Sequence, residues 1–394
     1  MKILVDANVP AADACFAPLG QVSRRPGREI DADSLADVDA LVIRSITRLD
    51  ADLIEATKAK GSPLSFVGSC TIGTDHVDQA ALARHAITFA SAPGCNADPV
   101  VDYVLSALML ACERRGQSLL ERRVGIVGVG NVGGRLAARL AAMGIEHRLC
   151  DPPRAERETS SRAGDENGQD FIELDALIDS CDVLCLHTPL VREGRHATRH
   201  LLDARRIEAL APGTLLLNAG RGDCVDGQAL SRRLARGDDL AALLDVWEEE
   251  PSIDQVLAHQ VALATPHIAG HSLDGKLRGT YQIHQALVAH LGLGERVSLA
   301  ELLPAPALSR LVLDGGLSPE EALALCMRAV YDPRRDHDRL LRAMAVDDPG
   351  KGFDQCRASY PLRREFSTLT LELVGQAQEL APLLSGAGFQ VDCR

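Results

Sequence analysis

The stretch "RRVGIVGVGNVGGRLAARLAAMG" at 122–144 constrains this chain more than any other. A short apolar run leads into glycines at 128, 130 and 133, and an amphipathic helical pattern follows. Each glycine has a distinct job in a strand–turn–helix. Gly128 permits the tight turn, Gly130 lets backbone approach a bound group, and Gly133 lets helix and strand pack closely. The helix N-terminus, with Asn131 and Val132 in its first turn, then presents unpaired N–H groups to an anion. The alternative is a set of glycines in a plain packing turn. The context favours a dinucleotide site. Asp151 follows Gly133 by 18 residues at the end of the next strand-like run. A carboxylate there suits ribose hydroxyls and repels a 2′-phosphate, so NAD is expected over NADP, with neighbouring Arg154 pulling the other way.

The pattern continues as a series of βα units. Strand-like "HRLCD", "DVLCLHTP", "TLLLNAG", "LAALLDV" and "VALATP" alternate with helical "ELDALIDSC", 203–210 and "QALSRRLARG". This is the order of a Rossmann-type doubly wound parallel sheet. The polar segment 152–170 reads as a surface loop. Upstream, "KILVD", "ALVIRS" and "SFVGS" are brief runs rich in Val, Ile and Leu, separated by helical patterns such as 50–61 with Gly61 as C-cap. They imply a second α/β domain. "SAPGCNADP" at 91–99 breaks the pattern before a long helix at 99–115, and a helix from about 276 can return to the first domain. The expected division is 1–94 with 271–298, then 95–270, then a small α+β domain at 299–394 with one strand-like run at 366–375.

Composition excludes several classes. The 394 residues carry a formal net charge of −13. An acidic surface repels phosphodiester backbones, so no nucleic-acid partner is expected. The apolar segment 100–112 is too short to span a bilayer and contains Asp102, which speaks against a membrane protein. Eleven scattered cysteines without a CxxC pair fit reduced thiols in the cytoplasm.

Three further motifs end strands on the edge where doubly wound sheets place ligands: "LLLNAGRGDCVD", "LLDVWEEEP" and "ATPHIAGH". His267 and His271 stand four apart, a spacing that on a helix would suit zinc. Pro266 and the glycine after them argue against a shared helix face, and nothing completes a tetrahedral set, so no metal is expected. In order, the glycine loop, N-x-x-R-G, D-V-W-x-x-E-P and P-H-I-A-G resemble the D-2-hydroxyacid dehydrogenases across about residues 1–298. The resemblance implies a flavodoxin-like substrate domain beside the NAD domain. It implies that His267 is the acid–base residue, Glu250 its carboxylate partner and Arg221 the clamp on the substrate carboxylate. Histidine suits a proton transfer near neutral pH. Glu248 and Glu249 fall outside the pattern and are expected in solvent. Carried-over NAD contacts are Thr188, Ala219, Gly220, Arg221, Asp245 and Gly270.

Within the family, "KILVDANVP", "VGSCTIGTDHVD", "SAPGCNA", "CDPPRA", "LLPAP" and "VYDPRRD" resemble a subgroup that oxidises a phosphorylated four-carbon hydroxy acid in pyridoxal 5′-phosphate biosynthesis. That resemblance spans nearly the whole chain and implies a homodimer formed by the C-terminal domain. Ser45 and Thr71 match substrate contacts, and Arg44 is a further candidate. The residue after "HIAG" is often a tyrosine that touches substrate. Here it is His271, whose imidazole can hydrogen-bond a phosphate. 3-Phosphoglycerate dehydrogenase is the alternative within the family. An NAD-sensing binding protein on the same scaffold is the alternative outside enzymes.

Overall fold

A computed structural model describes residues 1–161, 170–237, 239–295 and 297–394. The chain forms two compact units, Met1–Ala97 with Ser272–Ala305, and Asp98–His271 with Pro306–Arg394.

The first unit holds strands β1 (Lys2–Asp6), β2 (Gln21–Arg25), β3 (Ala40–Ile43), β4 (Phe66–Ser69) and β5 (Thr88–Ser91). They form one sheet in the order β2-β1-β3-β4-β5, every pair parallel, the flavodoxin-like arrangement. Alternation explains the two covered faces. Ile3, Val5, Ala40 and Val42 join one core cluster. Leu4, Leu41 and Ile43 join another on the opposite face. Helix Ala51–Ala59 starts where the Asp50 side chain accepts the Leu53 N–H, and Gly61 beyond its end has φ 73°. Helix Leu273–His290 packs on this sheet. A Cβ on Gly68 would stand 2.3 Å from Ile283 Cγ2, so the glycine allows helix and strand to meet.

The second unit contains β6 (Val124–Val127), β7 (His147–Cys150), β8 (Val183–Leu186), β9 (Leu215–Asn218), β10 (Ala241–Leu244) and β11 (Leu263–Ala264). Their order is β11-β10-β9-β8-β6-β7, again all parallel. A parallel bridge from Leu149 to Phe171 extends the β7 edge. The order reverses between β6 and β8, and such a switch point opens a crevice at the carboxyl ends of the strands. One face of the sheet (Ile126, Val183, Cys185, Leu217, Leu243) packs with helix Ala97–Arg114. The other (Val127, Leu184, Leu186, Leu216, Leu244) packs under the helices Leu174–Ser180 and Gly227–Leu234.

The C-terminal part departs from expectation. It has three strands where the sequence suggests one, β12 (Arg310–Leu313), β13 (Thr370–Leu373) and β14 (Gln390–Cys393), paired parallel in that order. β14 alternates exposed Gln390 and Asp392, and β12 offers only the three apolar residues Leu311–Leu313 behind exposed Arg310, so neither stands out as a buried run. This sheet shares a single core cluster with the larger one through Leu313, Phe366, Leu371 and Leu384. Arg139 bridges Asp98, Asp102 and the Ala387 carbonyl. A Cβ on Gly386 would approach Ala142 C to 2.7 Å, which seats the C-terminal helix against helix Asn131–Ala142. The segment expected as a loop is corrected as well: Pro152–Ser161 is helical, opened by Asp151, which accepts the Arg154 N–H at 3.0 Å. The remainder of that loop, 162–169, lies outside the described residues.

All eleven cysteines are free and ten are buried. Among the described residues no helix is long and apolar enough to cross a membrane.

Candidate active site

Because the strands of the second unit are all parallel, the residues that follow them gather along one edge. Gly128 follows β6, Asp151 follows β7, Thr188 follows β8, Ala219 to Arg221 follow β9, Asp245 follows β10, and His267 comes shortly after β11.

The glycine loop has the geometry its spacing demands. Gly128 sits at φ 87°, and a Cβ there would come within 3.0 Å of the His187 carbonyl. A Cβ on Gly133 would stand 2.0 Å from the Gly128 carbonyl oxygen, so only glycine lets the helix close on its own loop. Gly130 differs: a Cβ there meets nothing within 4 Å. It is also the N-cap of helix Asn131–Ala142 and supplies no side-chain hydrogen bond. An open, uncapped first turn fits a pyrophosphate. The Asp151 carboxylate accepts the Val129 N–H at 2.8 Å and so braces the loop. Arg154 is drawn across it, donating to the Val129 carbonyl and to Glu158 and lying over the Phe171 ring.

His187, which no sequence signal marks, lies beside this loop. Both ring nitrogens are buried without a partner. Burial pushes its pKa down to about 4, so the imidazole is neutral.

The Arg221 loop is stapled by Asn218, the first residue of N-x-x-R-G. Its buried amide donates to the Arg221 carbonyl at 3.0 Å and accepts the Gly220 N–H at 3.1 Å. A Cβ on Gly222 would lie 2.0 Å from the Trp247 carbonyl carbon, so this loop and the D-V-W loop touch backbone to backbone.

Glu250 and His267 meet. His267 Nδ1 stands 2.7 Å from Glu250 Oε2, and Glu250 Oε1 accepts the Trp247 N–H at 2.9 Å. Burial raises the pKa of Glu250, but the His267 imidazole and the Trp247 N–H outweigh it, and the carboxyl is held below its ordinary value. Glu250 is therefore ionised and accepts from Nδ1, which leaves Nε2 outside that contact. His267 has φ 55°, the left-handed region, and its turn is held by Asp245. The carboxylate of Asp245 accepts from Thr265 Oγ1 at 2.7 Å and from the N–H groups of Ile268 at 2.8 Å and Ala269 at 2.9 Å. Its backbone carbonyl accepts the His267 N–H at 2.7 Å. Asp245, expected as a cofactor contact, thus holds the turn that carries His267, through bonds that the spacing of the motifs does not announce. The His271 ring meets Tyr360 edge-on at 5.6 Å. Among the described residues no group of three or more His, Cys, Asp or Glu side chains is placed to hold a metal. Glu248, expected in solvent, instead pairs with His200 at 2.7 Å and accepts the Gly227 N–H.

The first unit places its candidates on adjacent strand ends. Arg44 and Ser45 follow β3, and Arg44 donates to the Asn8 carbonyl at 3.4 Å. Thr71 follows β4, with its hydroxyl 2.8 Å from Ser69 Oγ, which is itself 3.0 Å from His76 Nε2.

Comparison with known proteins gives a consistent picture. Residues 107–269 match the D-isomer specific 2-hydroxyacid dehydrogenase, NAD binding domain. Residues 302–386 match a domain of unknown function, DUF3410. The chain is 56% identical over 394 residues to an erythronate-4-phosphate dehydrogenase of Chromohalobacter salexigens, with 99% of each chain covered. It is 49% identical to the enzyme of that name from Pseudomonas aeruginosa, covering 99% of this chain and all of that one. NAD⁺-bound 3-phosphoglycerate dehydrogenase of Entamoeba histolytica shares the fold at TM-score 0.60 and 22% identity, over 74% of this chain and 95% of that one.

The two glycines of the loop separate fold from binding. Gly130→Ala should leave the melting temperature within about 2 °C of the parent, since nothing meets its Cβ, yet weaken NAD at least about tenfold by crowding the phosphate path. Gly133→Ala should lower both. Calorimetry and NAD titration of the two variants check this; equal effects at both positions contradict it.

Proposed function

The chain belongs to the D-isomer specific 2-hydroxyacid dehydrogenases and stands with the erythronate-4-phosphate dehydrogenases among them, and on that footing we propose that it oxidises 4-phospho-D-erythronate to 2-oxo-3-hydroxy-4-phosphobutanoate with NAD⁺, a step of pyridoxal 5′-phosphate biosynthesis. The observation that carries the reading is the 2.7 Å pair of His267 and Glu250 on the strand edge that also bears the Arg221 loop.

Each side chain has a task that follows from its chemistry. His267 removes the proton of the carbon-2 hydroxyl through Nε2. Glu250 fixes the tautomer and stabilises the imidazolium that forms. Arg221 grips the substrate carboxylate with its planar fork and draws electron density from the developing carbonyl. NAD⁺, when bound, accepts the hydride from carbon 2. Gly128 to Gly133 and the first turn of their helix hold its pyrophosphate, Asp151 faces the ribose, and Thr188, Ala219, Gly220 and Gly270 line the path between. With Arg154 already tied to Glu158 and to backbone, the acid at 151 sets the preference for NAD over NADP. In the first unit Ser45, Thr71 and Arg44 receive the phosphorylated end, and His271 offers a further donor.

The same proposal assigns 1–94 with 271–298 to substrate binding, 95–270 to NAD, and 299–394 to a homodimer contact. Exposed Val312, Leu317 and Leu362 in the last segment support that contact. Light scattering at about twice the 42.1 kDa chain mass is expected, and a mass of one chain contradicts it. A cytoplasmic location fits free, buried cysteines and a small anionic metabolite.

Steady-state kinetics with 4-phospho-D-erythronate and NAD⁺ test the reaction. kcat/KM should exceed that for 3-phosphoglycerate, and the reverse order rejects the assignment. His267→Ala should lose about 10²–10⁴-fold in kcat, the usual worth of a general base, with NAD binding retained.

Glu250 gives a second test. Glu250→Gln keeps the shape of the side chain and removes the charge that stabilises the imidazolium formed during turnover, so kcat should fall at least about tenfold with NAD affinity retained. A kcat equal to the parent's removes Glu250 from the pair.

A further inference from the structure

The turn that carries His267 is gripped from two sides. Asp245 takes its N–H groups, and its carbonyls go to a residue nearly a hundred positions later in the chain. Arg363, 5% exposed, donates Nη1 to the Ile268 carbonyl at 3.4 Å and Nη2 to the Ala269 carbonyl. The same Nη2 reaches the Pro99 carbonyl at 3.0 Å, in the first turn of helix Ala97–Arg114. The guanidinium lies over the Tyr331 ring at 4.4 Å. Its negative counterpart is Asp336, one of whose oxygens accepts from Tyr331 at 2.9 Å and from Tyr360 at 2.6 Å. Tyr360 in turn meets His271. Arg363, Tyr331, Asp336 and Tyr360 all come from the segment matched only by a domain of unknown function.

Burying a charged guanidinium is costly unless donors and counter-charge are satisfied. A neutral side chain could fill the same space at lower cost if packing were the only requirement. The fork instead fixes two successive carbonyls of a turn that begins with a strained histidine. We infer that Arg363 is a positioning residue for the acid–base pair, a link by which the C-terminal segment sets where the His267 imidazole stands relative to Glu250. The inference rests on the assignment of His267 as the proton-transfer group. It adds that the C-terminal segment acts on the chemistry as well as on assembly. Arg363 touches no reacting atom. It acts through the backbone of Ile268 and Ala269.

The test uses full-length Arg363→Gln and Arg363→Lys in two measurements. Turnover of 4-phospho-D-erythronate by the parent protein first establishes the reaction, so a failure there is a failure of the functional assignment. For the variants, kcat should fall at least tenfold in Gln and less in Lys, which can still reach one carbonyl, while NAD affinity stays within twofold. In ¹⁵N-histidine-labelled protein, the Nδ1–H signal of His267, identified by its absence in His267→Asn, should broaden or split in both variants. That readout does not depend on turnover. A folded variant with kcat within twofold of the parent and an unchanged His267 signal overturns the proposal. So does a loss of NAD affinity equal to the loss of kcat, the mark of general destabilisation. If the Gln variant does not fold, the Lys variant decides. If neither folds, Arg363 is a folding residue and the positioning role is rejected.

Discussion

The site depends on one buried carboxylate. Asp245 is 1% exposed and ends β10, and it gathers four hydrogen bonds from the five residues Thr265–Ala269. A non-glycine residue in the left-handed region, as His267 is, costs about 1–2 kcal/mol. Hydrogen bonds to a charged group contribute about 1.5–3 kcal/mol each, so the carboxylate outweighs that strain several times over. The turn has one available shape, and the imidazole inherits it. Thr265 carries the constraint further, because its hydroxyl is also 2.8 Å from the hydroxyl of Tyr103 in the long buried helix. Trp247 completes the frame by donating its indole N–H to the Thr265 carbonyl and its backbone N–H to Glu250. His267 and Glu250 are thus fixed by one network, and the Arg221 loop is pressed against the same tryptophan through Gly222.

What was legible in the sequence was local. The glycine loop, the order of βα units and the strand-end motifs each rest on residues close together in the chain, where period and turn chemistry act directly. Gly61 ends its helix for the same reason. What escaped was decided by distant partners. β2, β12 and β14 lie at sheet edges with polar faces, so their pairing depends on a neighbouring strand rather than on an apolar run. The polar helix Pro152–Ser161 has no apolar stripe and was expected to be irregular. Arg363 carried no signal at all, since one arginine among many surface arginines looks like the rest until a fold buries it. Asp245 enters the sequence reading as an NAD contact implied by resemblance, and its bonds to the His267 turn are not legible there, because motif spacing does not say which atoms bond.

The C-terminal sheet also reaches the other half of the site. Arg139 lies on the helix that begins at the glycine loop, and it is tied to Asp98, Asp102 and the Ala387 carbonyl. Asp102 accepts the Phe366 N–H as well, and burial lifts its carboxyl to about 6 despite Arg139. A carboxyl lifted above its unfolded value takes its proton more readily in the folded chain, so by linkage stability rises as pH falls through about 6 toward the ordinary carboxylate range, and the ionised Asp102 costs stability above it.

The distribution of thiols has a practical consequence. Ten of the eleven cysteines are buried, and burial raises Cys15 to about 11 and Cys150 and Cys326 to about 12, which suppresses the reactive thiolate. Only Cys393, at the end of β14, is exposed. The native chain therefore offers a single attachment point for a fluorophore or spin label. It sits at the end of β14, the edge strand paired with β13, whose motion such a probe would report without any substitution in the protein.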